Sequence, residues 1–231
     1  MLTAITPNSP MIITDIDVNA NAGTVKDIDG NTYKIIKIGD QEWMAENLKV
    51  TRYRNGDKIP NVTDNSEWAS LSTGARCVHN NDESRLPTYG YLYNWYAVVD
   101  SRGIAPEGWH VPTDEDWIEL EIYLGMSLSE AGDINWRSTD VGGKLKEEGT
   151  SHWKSPNKGA TNATGFSALP GAFRASNGMF YPIGEGCGFW TSTECDRGTA
   201  WNRAQYYKNS AVYRYNYPKK RGFYVRCVRN K

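Results

Sequence analysis

Residues 202–217 read Asn-Arg-Ala-Gln-Tyr-Tyr-Lys-Asn-Ser-Ala-Val-Tyr-Arg-Tyr-Asn-Tyr, a mixture suited to recognition more than to bond chemistry. The wider stretch 202–222 holds five Tyr, three Asn and six Lys or Arg, and no acid. Tyr213, Tyr215 and Tyr217 alternate with Arg214 and Asn216, as the two faces of a strand do. Tyrosine offers broad, rigid contact area at low entropic cost, while Asn and Ser add adaptable hydrogen bonds. Beside Lys and Arg, such rings suit stacking on sugars or pairing with acidic glycans. Three hydroxyls on one face would each need a partner in a dry core. We therefore expect Asn202, Ala204, Tyr207, Ser210, Tyr213, Tyr215 and Tyr217 to form a solvent-facing ligand-contact surface. Tyr224 is marginal, because it adjoins the closing strand. The structural alternative is that the three tyrosines face the core, since Tyr is a good strand residue.

Bond-making chemistry finds weaker candidates. His79, His110 and His152 are the only histidines. His110 follows Trp109 ahead of a helix, where a structural hydrogen bond explains it. Ser192 lies in "WTSTE", which is no nucleophile elbow. Asp114, Glu115 and Asp116 cluster at a helix start, where the dipole accounts for them. Cys77, Cys187, Cys195 and Cys227 allow three two-disulfide pairings, and no CxxC pair suggests zinc. No acid follows Asp196, so the Tyr-rich segment lacks the carboxylates that hard cations use. The acidic stretches 63–67 and 80–84 read as solvated turns. No catalytic residue, cofactor or metal is expected.

These residues must be held by a scaffold. The 231 residues suffice for one sizeable core. Only 39% are hydrophobic, but nine Trp and fourteen Tyr compensate, because each aromatic buries a large area. Net charge is −1, with ten basic residues and no acid from Arg197 onward. No nucleic-acid motif accompanies that basic segment, and no apolar run suits membrane insertion. No signal peptide is visible at the N-terminus.

Residues 1–22 read as an arm or linker and 23–231 as one domain. The fragment Met11–Ile13 would gain little alone and more against another chain, which makes a homo-oligomer, such as a trimer, one expectation for the arm. "TVKDIDGNTYKIIKIGDQEWMAENL" reads as strands with turns at Asp29-Gly30 and Gly39-Asp40. Residues 55–88 read as long loops, and 89–99 as the start of a short helix. Thr113 is a natural N-cap for a helix with Trp117, Leu120, Tyr123 and Leu124 on one stripe, stopped by Gly125. A shorter helix fits Val141–Glu148. "ATGFSALPGAFR", "MFYPIG", "GFWTSTE", "TAWNRAQYY", "SAVYRYNY" and "GFYVRCVR" read as short strands. The fold class is α+β, with a twisted antiparallel sheet, about two helices and long loops.

In order, "DIDGNTYKIIKIGDQEWMAENL", "YGYLYNW", "GWHVPTDEDWIEL", "GFSALPGAFR", "FWTSTE" and "GFYVRCVR" resemble the Fibrobacter succinogenes major paralogous domain over roughly residues 24–230. The resemblance implies a C-type-lectin-like fold, related to the formylglycine-generating enzymes, and the surface proteins of Bacteroidetes. In it Trp43, Trp95, Trp109, Trp117, Trp190 and Phe223 would hold the frame. Residues 202–224 further resemble the segment rewritten in retroelement-diversified variable proteins, phage receptor-binding proteins among them. Calcium-dependent lectins of this fold use a Trp-Asn-Asp strand; here Trp201-Asn202-Arg203 has arginine in place of the acid. The related enzymes use a copper-binding cysteine pair, which Cys187 and Cys195 match by no motif. Three expectations result: a receptor-binding display protein on a virion or cell surface, a secreted glycan-adhesion module, or an oxidase-like enzyme. The first leads, with a protein or glycan receptor as partner.

Overall fold

Turn chemistry starts the fold. The computed structural model describes residues 18–19 and 22–231. Strands Thr24–Lys26 and Thr32–Ile38 pair antiparallel around Gly30, and Thr32–Ile38 turns at Gly39-Asp40 into Gln41–Met44. Gly30 and Gly39 both take positive φ, the conformation that tight turns ask of glycine. The C-terminal strand Val228–Arg229 then inserts between Gln41–Met44 and Trp109–His110. Val228 faces Trp43 on one side and His110 on the other. One antiparallel sheet thus joins the start and end of the described chain. Val18–Asn19 adds to its edge opposite Ile38 and Lys37, while Met11–Ile13 and the oligomer expectation lie outside the described residues.

A second antiparallel sheet carries the Tyr-rich segment. Its order is Asn135–Arg137, Val212–Pro218, Thr199–Tyr206, Gly186–Asp196. The helix Asp114–Tyr123 packs beside it. Thr113 and Asp116 form a reciprocal capping box at its N-terminus. Trp117, Leu120 and Leu124 are buried in the main core with Trp43, Phe166 and Phe189. Trp117 meets Trp43 at 5.0 Å and Phe166 at 5.7 Å between centroids. All six expected frame aromatics are buried.

Several expectations need correction. The α-helical content is six short segments among the described residues, not about two helices, and only Asp114–Tyr123 reaches ten residues. Residues 55–88 are not plain loops. Asp64 caps the helix Asn65–Ser70, whose Trp68 is buried and donates from Nε1 to the Lys220 carbonyl at 2.8 Å. "ATGFSALPGAFR" and "MFYPIG" form no regular strands; they are turns joined by isolated bridges such as Arg174 to Phe180. All four cysteines are free thiols, three of them buried.

Buried cations fasten these irregular segments. The Arg174 guanidinium donates to the carbonyls of Val62, Thr63, Asp64 and Gly178 while lying over the Trp68 ring. Lys146 Nζ donates to the carbonyls of Lys158 and Asn209 at 2.9 Å each. Arg226 ties Asn47 to the carbonyls of Phe166 and Ser167. Loop carbonyls that no sheet would satisfy find their donors this way.

Candidate functional site

The two faces of the second sheet have opposite roles. Cross-strand partners share a face, and Asn202 faces Tyr215, Ala204 faces Tyr213 and Ala200 faces Tyr217. Arg203 faces Arg214 on the other side, with Val212. It is the arginine side that is buried. Arg203 donates to Asp114 Oδ1 at 2.6 Å and Glu121 Oε1 at 2.8 Å. Arg214 reaches Asp114 Oδ2 at 2.7 Å and lies 3.7 Å above the Trp201 ring. Arg137 grips both oxygens of Glu121 at 2.8 Å. Burial alone would raise the Asp114 carboxyl, but its bonds to Arg214 and Arg203 outweigh it and hold the group below the usual carboxylate range. The acids at the helix start therefore do more than favour the dipole, since Asp114 anchors the sheet.

The tyrosine side is half-buried and forms a ladder. Tyr213 and Tyr215 stack at 5.7 Å with planes 17° apart, and Tyr217 lies next at 5.5 Å. The edge strand adds Trp136, 4.9 Å from Tyr213. At the other end Tyr217 meets Phe223, which meets Phe173, which stacks on Tyr181 at 4.2 Å. These rings border a cleft of about 310 Å³, walled by Trp136, Phe173, Tyr181, Tyr206, Tyr213 and Tyr217. Trp136 is 44% exposed and Tyr181 50%. Asn202, Ala204, Gln205, Cys187 and Phe223 also line it. Gly188 lies beneath: a Cβ there would collide with the Phe223 ring.

The expected contact residues divide accordingly. Tyr213, Tyr217, Asn202 and Ala204 line the cleft, and Tyr215 stacks between the two tyrosines. Asn202 is not solvent-facing, as expected from sequence, but fully buried. Its Nδ2 donates to the Phe189 carbonyl at 2.8 Å, while its Oδ1 has no protein partner. Tyr207 and Ser210 do not join the cleft. Tyr207 packs on the main core. Ser210 donates to the Thr139 carbonyl in a turn pressed against Gly142 and Gly159. The strand ends at Tyr206, so alternation no longer governs these positions. Tyr224 is core, its hydroxyl donating to the Gly171 carbonyl at 2.8 Å. The missed residues, Trp136, Phe173, Tyr181 and Tyr206 foremost, arrive mostly from segments distant in sequence, and no local period marks them.

The groups considered for catalysis have structural partners. His110 bridges Asp116 Oδ2 at 3.0 Å and Asn230 Oδ1 at 2.8 Å. His79 Nε2 meets the Tyr181 carbonyl at 2.7 Å, and His152 meets Glu147 at 2.9 Å. Cys187 is buried, with its thiol pushed up to about 12 by desolvation. It shares one strand with Cys195, and eight extended residues separate their Cα atoms by roughly 25 Å, too far to share a metal. Among the described residues no three His, Cys, Asp or Glu side chains converge as a metal site, and no helix is long and apolar enough to cross a membrane.

Comparison with curated proteins and with solved structures returns no match. The family model for the Fibrobacter succinogenes major domain matches residues 36–229, a span that takes in the capped helix, the whole second sheet and every residue lining the cleft. The chain belongs to the Fibrobacter succinogenes major domain family.

Proposed function

We propose that this chain is a binding domain whose aromatic cleft recognises a receptor outside the cell, with no chemistry performed on it. The observation that carries the reading is the ladder from Trp136 through Tyr213, Tyr215 and Tyr217 to Phe223 around the cleft. Rigid aromatic rings around a concavity are what small-ligand sites and interface anchors use. The buried arginine network fixes the sheet from behind, so the binding face is preorganised.

A C-type-lectin-like scaffold is our reading of the fold. It is supported by the pairing of the first hairpin with the last strand and by the loop-rich second half between them. Such a protein would be displayed on a virion or cell surface. The cleft-lining part of residues 202–217 would be the portion open to diversification. A template repeat matching codons 195–227 beside a reverse transcriptase gene would support diversification, and its absence from the locus would count against it.

The binding reading is tested with the labelled chain on intact cells. Trp136→Ala and Tyr213→Ala should abolish cell-surface binding while circular dichroism and melting remain near those of the parent. Binding that survives both changes would reject the cleft as the recognition site.

A further inference from the structure

Four features of the cleft narrow its ligand chemistry, on the reading that it is the binding site. First, its walls are flat rings, with Trp136 and Tyr181 left exposed at the rim. Second, one lining residue on the tyrosine face has a buried polar atom without a protein partner: Asn202 Oδ1, an acceptor. Third, the one ionisable carboxylate among the lining residues, Glu185, is neutralised by Lys154 at 2.7 Å. Fourth, the guanidinium of Arg221 rests on two wall rings, 4.2 Å from Tyr217 and 5.1 Å from Phe173. Its pairing is with rings rather than with a carboxylate, and its Nε has no acceptor.

Arg221 does not itself line the cleft, but its contact with two wall rings leaves this side positive. A cationic ligand is disfavoured, because Arg221 already holds the place a cation takes on these rings. An anion gains a charge-assisted bond to a fork-shaped donor. The rings ask for a flat apolar face, and the unpartnered Asn202 Oδ1 asks for a donor beside it. A pyranose ring presents a C–H face with hydroxyls at its edge, each able both to donate and to accept. We propose that the cleft binds a carboxylated sugar, its ring on the wall aromatics, a hydroxyl toward Asn202, and its carboxylate toward Arg221.

The test compares a glucuronate-bearing oligosaccharide with its methyl ester, the same ring without the charge, by titration of the full chain followed through tryptophan fluorescence. The acid should bind about tenfold more tightly than the ester at low salt, and the gap should shrink as salt rises. Arg221→Gln should bring the acid to the affinity of the ester. Arg221→Lys, which keeps the charge, should retain part of the gap and guards against a folding defect in the first variant. Trp136→Ala should weaken both ligands. Equal affinity for acid and ester overturns the carboxylate assignment. Binding of neither, with cell-surface binding still lost in Trp136→Ala, overturns the sugar assignment and leaves the cleft as the recognition site. A peptide with a free C-terminal carboxylate that binds with the same Arg221 dependence while the sugars do not would assign the cleft to a protein ligand instead.

Discussion

Arg203 and Arg214 stand directly opposite each other on adjacent strands, and both close on the carboxylate of Asp114. Like charges so placed repel, and only the acid from the helix makes the pairing tolerable. Glu121 completes the set by bridging Arg203 and Arg137. The helix thus holds the back of the sheet through charge where the core elsewhere uses rings. Asp114→Ala would leave two buried guanidinium groups short of a counter-ion. It should cost about 3–5 kcal/mol in denaturant unfolding. A loss below about 1 kcal/mol would show that the arginines find water in solution.

The tyrosine ladder predicts a gradient along one strand. Tyr213 is half-buried beside Trp136, whereas Tyr217 also packs on the second core cluster with Phe223 and carries Arg221. Tyr213→Ala should cost about 1 kcal/mol and Tyr217→Ala about 2 kcal/mol. Both should lose ligand binding, since aromatic anchors dominate such surfaces. If Tyr213→Ala destabilises more than Tyr217→Ala in parallel urea titrations, the ladder serves the core rather than recognition.

The sequence was most legible where one local rule acted alone. Asp29-Gly30, Gly39-Asp40 and the Thr113 cap fixed the first hairpins and the main helix. Alternation placed Tyr213, Tyr215 and Tyr217 on one face, but could not say that the Arg203 and Arg214 face would be the buried one. That depended on an acid roughly ninety to a hundred residues away in the chain. The cleft was half legible for a related reason. Trp136, Phe173 and Tyr181 come from an edge strand and from turns held by the buried Arg174, and neither leaves a periodic trace. Tyr207 and Ser210 were misplaced because the strand stops at Tyr206 and a turn redirects the chain beyond it.

Binding should not require calcium. Where a Trp-Asn-Asp strand would present an acid, Arg203 is buried, and the carboxylates nearest it, Asp114 and Glu121, are committed to arginines. Addition of a chelator should leave melting temperature and ligand binding unchanged. A clear fall in either would reveal a cation site built from other oxygen ligands.

The pH profile of stability should carry the signature of His110. Its imidazole lies between Asp116 and Asn230, and the hydrogen bond to Asp116 raises its pKa above the ordinary 6.5. A histidine raised on folding contributes stability that is complete below its unfolded pKa and is lost as pH climbs through the folded value. Asp116 contributes in the opposite sense. Burial would raise it, but bonds to His110 and Thr113 hold it low, so its share is present above the unfolded carboxylate pKa and lost in acid. Melting temperature should therefore be highest between these limits and fall as pH rises above about 6.5. His79 acts in the opposite sense and below that range, because burial lowers its pKa and its protonation costs stability as pH falls from about 6.5. The two are separated by substitution. His110→Gln should flatten the alkaline limb and leave the contribution of His79 in place, visible as stability that rises with pH up to about 6.5. An alkaline limb unchanged in His110→Gln would mean that the Asp116–His110–Asn230 bridge does not form in solution.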